Sequence, residues 1–94
     1  MSKGIIYIEI EVIPMTIGDA VRQRIIQLCQ ERDISINKLS SISGVTQSTV
    51  NNIVSGRNNS ATVSTIKKLC DGLGITIDEF FHSELFNGLE QEIK

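Results

Sequence analysis

The segment Gly44-Val45-Thr46-Gln47-Ser48-Thr49-Val50-Asn51-Asn52-Ile53-Val54-Ser55-Gly56 decides the fold. Gly44 offers the positive φ that ends a preceding helix, Thr46 offers a hydroxyl cap for a new one, and Gly56 closes it. Between them Val50, Ile53 and Val54 gather on one side of a helix, while Ser48, Asn51, Asn52 and Ser55 gather on the other, with Gln47 at the N-terminal tip. Upstream, Ser35 can cap a short helix from Ile36 to Ser43 with Leu39 and Ile42 inward. Two short helices are thus joined by a turn of a few residues, which is the spacing of a helix-turn-helix.

Working outward, Thr16-Ile17-Gly18-Asp19 has the form of a capping box, and Val21, Ile25, Leu28 and Cys29 then mark one face of a helix that ends near Asp33. Downstream, Thr62 caps a fourth helix with Ile66, Leu69, Cys70 and Leu73 inward and Gly74 at its end. A second capping box, Thr76-Ile77-Asp78-Glu79, opens a fifth helix expected to run through Phe80 and Phe81 toward Leu85 and Phe86, before Asn87-Gly88 breaks the chain. The first fourteen residues follow a different period. Ile6, Ile8, Ile10 and Val12 alternate with Tyr7, Glu9 and Glu11 and stop before Pro14, the pattern of a strand. Met15 directly precedes the helical region, so a leader from a misplaced start is the competing reading of this segment.

The 94 residues, 40% hydrophobic and 21% charged, fit one small globular domain and exclude a disordered or low-complexity chain. No stretch approaches the roughly 18 consecutive apolar residues of a membrane span, and no signal-peptide pattern is present, so a cytoplasmic protein is expected. The net charge of −2 conceals a division along the chain. Residues 34–70 carry Lys38, Arg57, Lys67 and Lys68 against no acid, whereas residues 71–94 carry Asp71, Asp78, Glu79, Glu84, Glu90 and Glu92 against Lys94 alone. The middle of the chain is therefore suited to face a polyanion. Cys29 and Cys70 are too few for a disulfide scaffold and wrongly spaced for zinc, and they read as core residues. His82 has no Cys or His partner at ligand spacing, and no acid, base and nucleophile cluster, so neither a metal, a cofactor nor an enzyme is expected.

The outward face of the third helix is polar and uncharged, lacking the Glu and Lys that usually fill a solvated face. Amides and hydroxyls there match the donors and acceptors of base edges, and the free amides of the helix N-terminus favour an anion. The segment from Gly44 to Gly56 resembles the turn and recognition helix of the lambda-repressor-like (Cro/repressor-type, XRE) family. The resemblance continues through Ser35 to Leu39, through Ile66-Lys67-Lys68-Leu69-Cys70-Asp71-Gly72-Leu73-Gly74-Ile75 and through Asp78-Glu79-Phe80-Phe81, covering about residues 16–82.

That resemblance implies an all-α, five-helix DNA-binding domain over residues 15–84, here with an added N-terminal β-strand over residues 1–14 and a short acidic tail over residues 85–94. It implies base reading by Gln47, Ser48 and Asn52 with Thr49 and Asn51 in flanking contacts, and phosphate contacts by Ser35, Asn37, Lys38, Ser55, Arg57 and Asn58. Two departures from the family pattern stand out. The family's Gln after the cap of helix 2, which braces the recognition helix, is Ile36 here. A common pairing of Arg late in helix 1 with Glu in helix 3 is replaced by Cys29 and Val54, an exchange of an ion pair for two apolar groups. The implied function is a transcriptional repressor that binds an inverted-repeat operator in double-stranded DNA as a homodimer. The alternative is an antitoxin-like or adaptor protein whose main task is to hold another polypeptide, such as a toxin. For the dimer, the strand face of Ile6, Ile8, Ile10 and Val12 can pair about a two-fold axis, and Leu85, Phe86 and Leu89 offer a second route.

Overall fold

In the computed structural model, residues 15–57 and 61–93 are described. The strand expected over residues 1–14, its face of Ile6, Ile8, Ile10 and Val12, and Asn58 lie outside the described residues. The chain forms α1 (Ile17–Arg32), α2 (Ile36–Ser43), α3 (Gln47–Val54), α4 (Val63–Leu73) and α5 (Ile77–Phe81), followed by a 3-10 turn at Glu84–Phe86.

Every one of these five helices begins at a hydroxyl residue in extended conformation whose side chain accepts the amide three residues on. The pairs are Thr16 with Asp19, Ser35 with Lys38, Thr46 with Thr49, Thr62 with Thr65 and Thr76 with Glu79. Such a cap contributes about 1 kcal/mol over alanine. At α5 the reciprocal bond from Glu79 to the Thr76 amide completes a capping box. At α1 it does not form. Asp19 is one methylene shorter than Glu, and its carboxylate lies 3.8 Å from Arg22 instead. Helix ends are closed by left-handed residues, Gly44 and Gly74 at φ 72° and, unusually, Asp33 at φ 54°.

One core joins the helices, with Ile25, Leu39, Val50, Leu69, Cys70 and Phe80 fully enclosed and Cys29 buried beside them. Val54, expected inward, is half-buried against this core. The expected inward position of Ile42 is incorrect, because its side chain is 37% exposed. The cause is the way α4 meets α2: Gly72 approaches so closely that a Cβ there would stand 2.8 Å from the Ile42 carbonyl oxygen and from the Ser43 Cα. Backbone, not the Ile42 side chain, fills that contact. The expected continuation of α5 through Leu85 and Phe86 is also corrected. The helix stops at Phe81, His82 caps it, and the chain turns back so that the Phe86 ring stands 4.8 Å from that of Phe81. The tail then returns to the start of α1, where the Glu90 amide donates to the Met15 carbonyl at 3.0 Å.

Candidate nucleic-acid interface

The α2-turn-α3 unit is fastened from within. The Gly44 amide donates to the Ser40 carbonyl at 3.0 Å, and the Ser43 hydroxyl donates to the Leu39 carbonyl at 2.7 Å. The Ser40 hydroxyl donates to the Val45 carbonyl while the Val45 side chain is buried, so the single residue between Gly44 and Thr46 is pinned by both backbone and side chain. Val50 and Ile53 enter the core beneath. This fixes which side of α3 faces out: Gln47, Ser48, Asn51 and Ser55 are exposed, and Thr49 and Asn52 are half-buried at the margins.

Among the described residues, members of the expected base-reading and phosphate sets are linked to one another. Gln47 Nε2 donates to Asn37 Oδ1, a bond across the two helices. The bracing that the sequence comparison assigned to a Gln after the helix 2 cap is thus made one position later, by Asn37. Ile36 is half-buried against the core instead of facing outward. The Thr49 hydroxyl is joined to that of Thr46 at 2.8 Å, inside the cap. Ser55 Oγ donates to the Asn52 carbonyl at 3.2 Å and accepts the Arg57 amide at 3.4 Å, holding the exit from α3 and placing Arg57 just beyond it.

Electrostatics sharpen the same picture. No acid occupies the first turn of α2, α3 or α4, so three helix N-termini keep their positive dipole ends uncompensated. Lys38 and Arg57 are exposed and form no ion pair among the described residues, whereas Lys67 is paired with Asp71. Of the four cations of the central segment, Lys38, Arg57 and Lys68 are thus left without an acidic partner among the described residues, and Lys38 and Arg57 are the two that lie on α2 and just beyond α3.

Other candidates resolve simply. Burial pushes both the Cys29 and the Cys70 thiol up, with Arg32 opposing this at Cys29, and with Asp71 and Glu79 adding to it at Cys70 while Lys67 opposes it. Raised thiols within a core are packing groups, not nucleophiles. His82 is exposed, and no group of His, Cys, Asp and Glu able to hold a metal exists among the described residues. No helix among them is long and apolar enough to cross a membrane.

Sequence reasoning missed Arg24. Its Nε donates to the Phe80 carbonyl at 2.6 Å, its Nη2 to the Glu79 carbonyl at 2.8 Å, and its Nη1 to Gln27 Oε1 at 2.6 Å. One guanidinium thereby ties α1 to the end of α5, 56 residues away in sequence. The Gln27 three residues on was the only local signal, and it does not distinguish such a clamp from a solvated pair.

Comparison with known proteins agrees with this geometry. The family model for the Cro/C1-type helix-turn-helix DNA-binding domain matches residues 24–84. Among solved structures, the crystal structure of the prophage Lp1 protein 11 is similar, with 34% identity and a TM-score of 0.69, covering 78% of this chain and 96% of that one. No curated protein sequence matches.

Proposed function

Because the chain belongs to the Cro/C1-type helix-turn-helix DNA-binding domain family, a family of DNA-binding regulators and not of enzymes, we propose that it is a transcriptional repressor. It reads an inverted-repeat operator in double-stranded DNA as a homodimer. The observation that carries this reading is the exposed face of α3: amides and hydroxyls without a single charge, bounded by the exposed cations Lys38 and Arg57. Gln47, Ser48 and Asn52 read base edges in the major groove, with Thr49 and Asn51 making flanking contacts. Ser35, Asn37, Lys38, Ser55, Arg57 and Asn58 hold phosphates and set the register. The bond from Gln47 to Asn37 presents the Gln47 amide in one orientation before DNA arrives, which lowers the ordering cost of binding.

For the dimer, the face of Ile6, Ile8, Ile10 and Val12 supports pairing of N-terminal segments about a two-fold axis. The route through Leu85, Phe86 and Leu89 is less favoured, since all three are half-buried within their own chain.

The test is a selection of bound sites from random duplex DNA, followed by two classes of substitution. Gln47→Ala and Asn52→Ala should each lose about 1–3 kcal/mol of discrimination at one base position while leaving non-specific binding nearly intact. Lys38→Ala and Arg57→Ala should weaken binding to every duplex and flatten the slope of log affinity against log salt by about 0.9 each. A preferred site that survives the first pair unaltered, or a slope unchanged by the second, overturns the assignment.

A further inference from the structure

An apolar groove runs between the start of α1 and the start of α4, bounded by Ile17, Val21, Ala61, Val63, Ile66 and Phe81. Gly18 also lines it. No charged side chain lines this groove. Val63 is 74% exposed at the first position of α4 and Ile17 is 36% exposed at the first position of α1. Ile17 and Val63 thus leave apolar surface open over one depression.

We propose that this groove is the docking site of the chain's own N-terminal segment, residues 6–12, with Ile6, Ile8, Ile10 and Val12 facing in. The segment departs from the body at a fixed point beside the groove, because the Met15 carbonyl is held by the Glu90 amide at 3.0 Å, two residues before Ile17. In extended form residues 6–12 reach about 20 Å, more than enough to lie along the first turns of α1, where Ile17 to Val21 rise about 6 Å. Strand alternation sends Tyr7, Glu9 and Glu11 to solvent, matching an apolar floor and an open roof. The short tether gives the segment an effective concentration of order millimolar at the groove, an advantage over any free partner. Its outer backbone edge stays open to the same segment of a second copy, so docking and strand pairing are compatible.

A cysteine scan of the full chain tests this. Val63→Cys is combined in turn with Ile6→Cys, Tyr7→Cys, Ile8→Cys, Glu9→Cys, Ile10→Cys, Glu11→Cys and Val12→Cys, and each double variant is oxidised mildly at high dilution and mapped by peptide mass. Val63 is exposed, so its replacement leaves the core intact, and a thermal melt verifies folding of each variant. The native Cys29 and Cys70 are 5% and 0% exposed and do not compete. The expected result is an intrachain disulfide whose yield peaks at an even-numbered position and falls several-fold at both odd-numbered neighbours. Three results overturn the proposal: no disulfide to residue 63, yields without two-residue alternation, or bonds formed only between chains, which would make the occupant the segment of a second copy.

Discussion

Helices α3 and α5 start on the same device, a threonine whose hydroxyl accepts the amide three residues on, and then diverge. In α5 the first turn carries Asp78 and Glu79, and Glu79 Oε1 accepts the Thr76 amide at 2.8 Å, so the positive end of that helix is neutralised within the chain. In α3 the corresponding turn is Gln47-Ser48-Thr49, with no acid, and its positive end is left for something outside. Both helices bury apolar residues on the same core, Phe80 in one and Val50 with Ile53 in the other. What separates the two helices here is the chemistry of one turn, not packing.

The comparison breaks most completely where both helices lose their support. Gly72→Ala places a Cβ 2.8 Å from the α2 backbone at Ile42 and Ser43, where no flexible side chain can yield, and should cost about 2–3 kcal/mol. Urea unfolding reads this as a lower midpoint at unchanged slope. An unchanged midpoint would show that α4 tilts away without loss.

A finer probe gives α3 the first turn of α5. Thr49→Glu creates Thr-Gln-Ser-Glu, a capping box, and should raise stability by about 0.5 kcal/mol through the added cap and dipole interactions. The same carboxylate should lower affinity for duplex DNA at least about tenfold by repelling phosphates. Opposite signs in one variant separate fold from function. If both quantities rise, the start of α3 does not face the nucleic acid.

The smallest effect belongs to Asp33, which holds φ 54° at the end of α1 and places a negative charge at the negative pole of that helix. Asp33→Gly should stabilise by about 0.5 kcal/mol, since both the strain and the charge are removed at once. DNA affinity should not move, a measurement that checks whether stability and binding are separable far from α3.

The caps and the turn at Gly44 were legible in the sequence because each is local: a hydroxyl three residues before its amide, or a glycine where φ must be positive. The resemblance to the Cro/repressor-type family was legible for the same reason, being carried by spacing. Ile42 was not. Its position on α2 marks it as inward, but only the absence of a side chain at Gly72, thirty residues later, makes the facing surface a backbone. Asn37 was expected at a phosphate, and its bond to Gln47 depends on the crossing of two helices that no periodicity specifies. Arg24 and the return of Glu90 to Met15 are long-range bonds of the same kind.

Arg24 also governs how the molecule opens. A helix of five residues is far below the roughly 12–15 needed to persist alone, so α5 lasts only as long as its anchors do. Its last carbonyls are gripped from α1, and the rings of Phe80, Phe81 and Phe86 pack on one another with centroids 4.8 to 6.3 Å apart. These parts should release together: the amide hydrogens of α5 should exchange with solvent as one cooperative unit, and cleavage by a protease near residue 82 should speed up once the Arg24 guanidinium is removed.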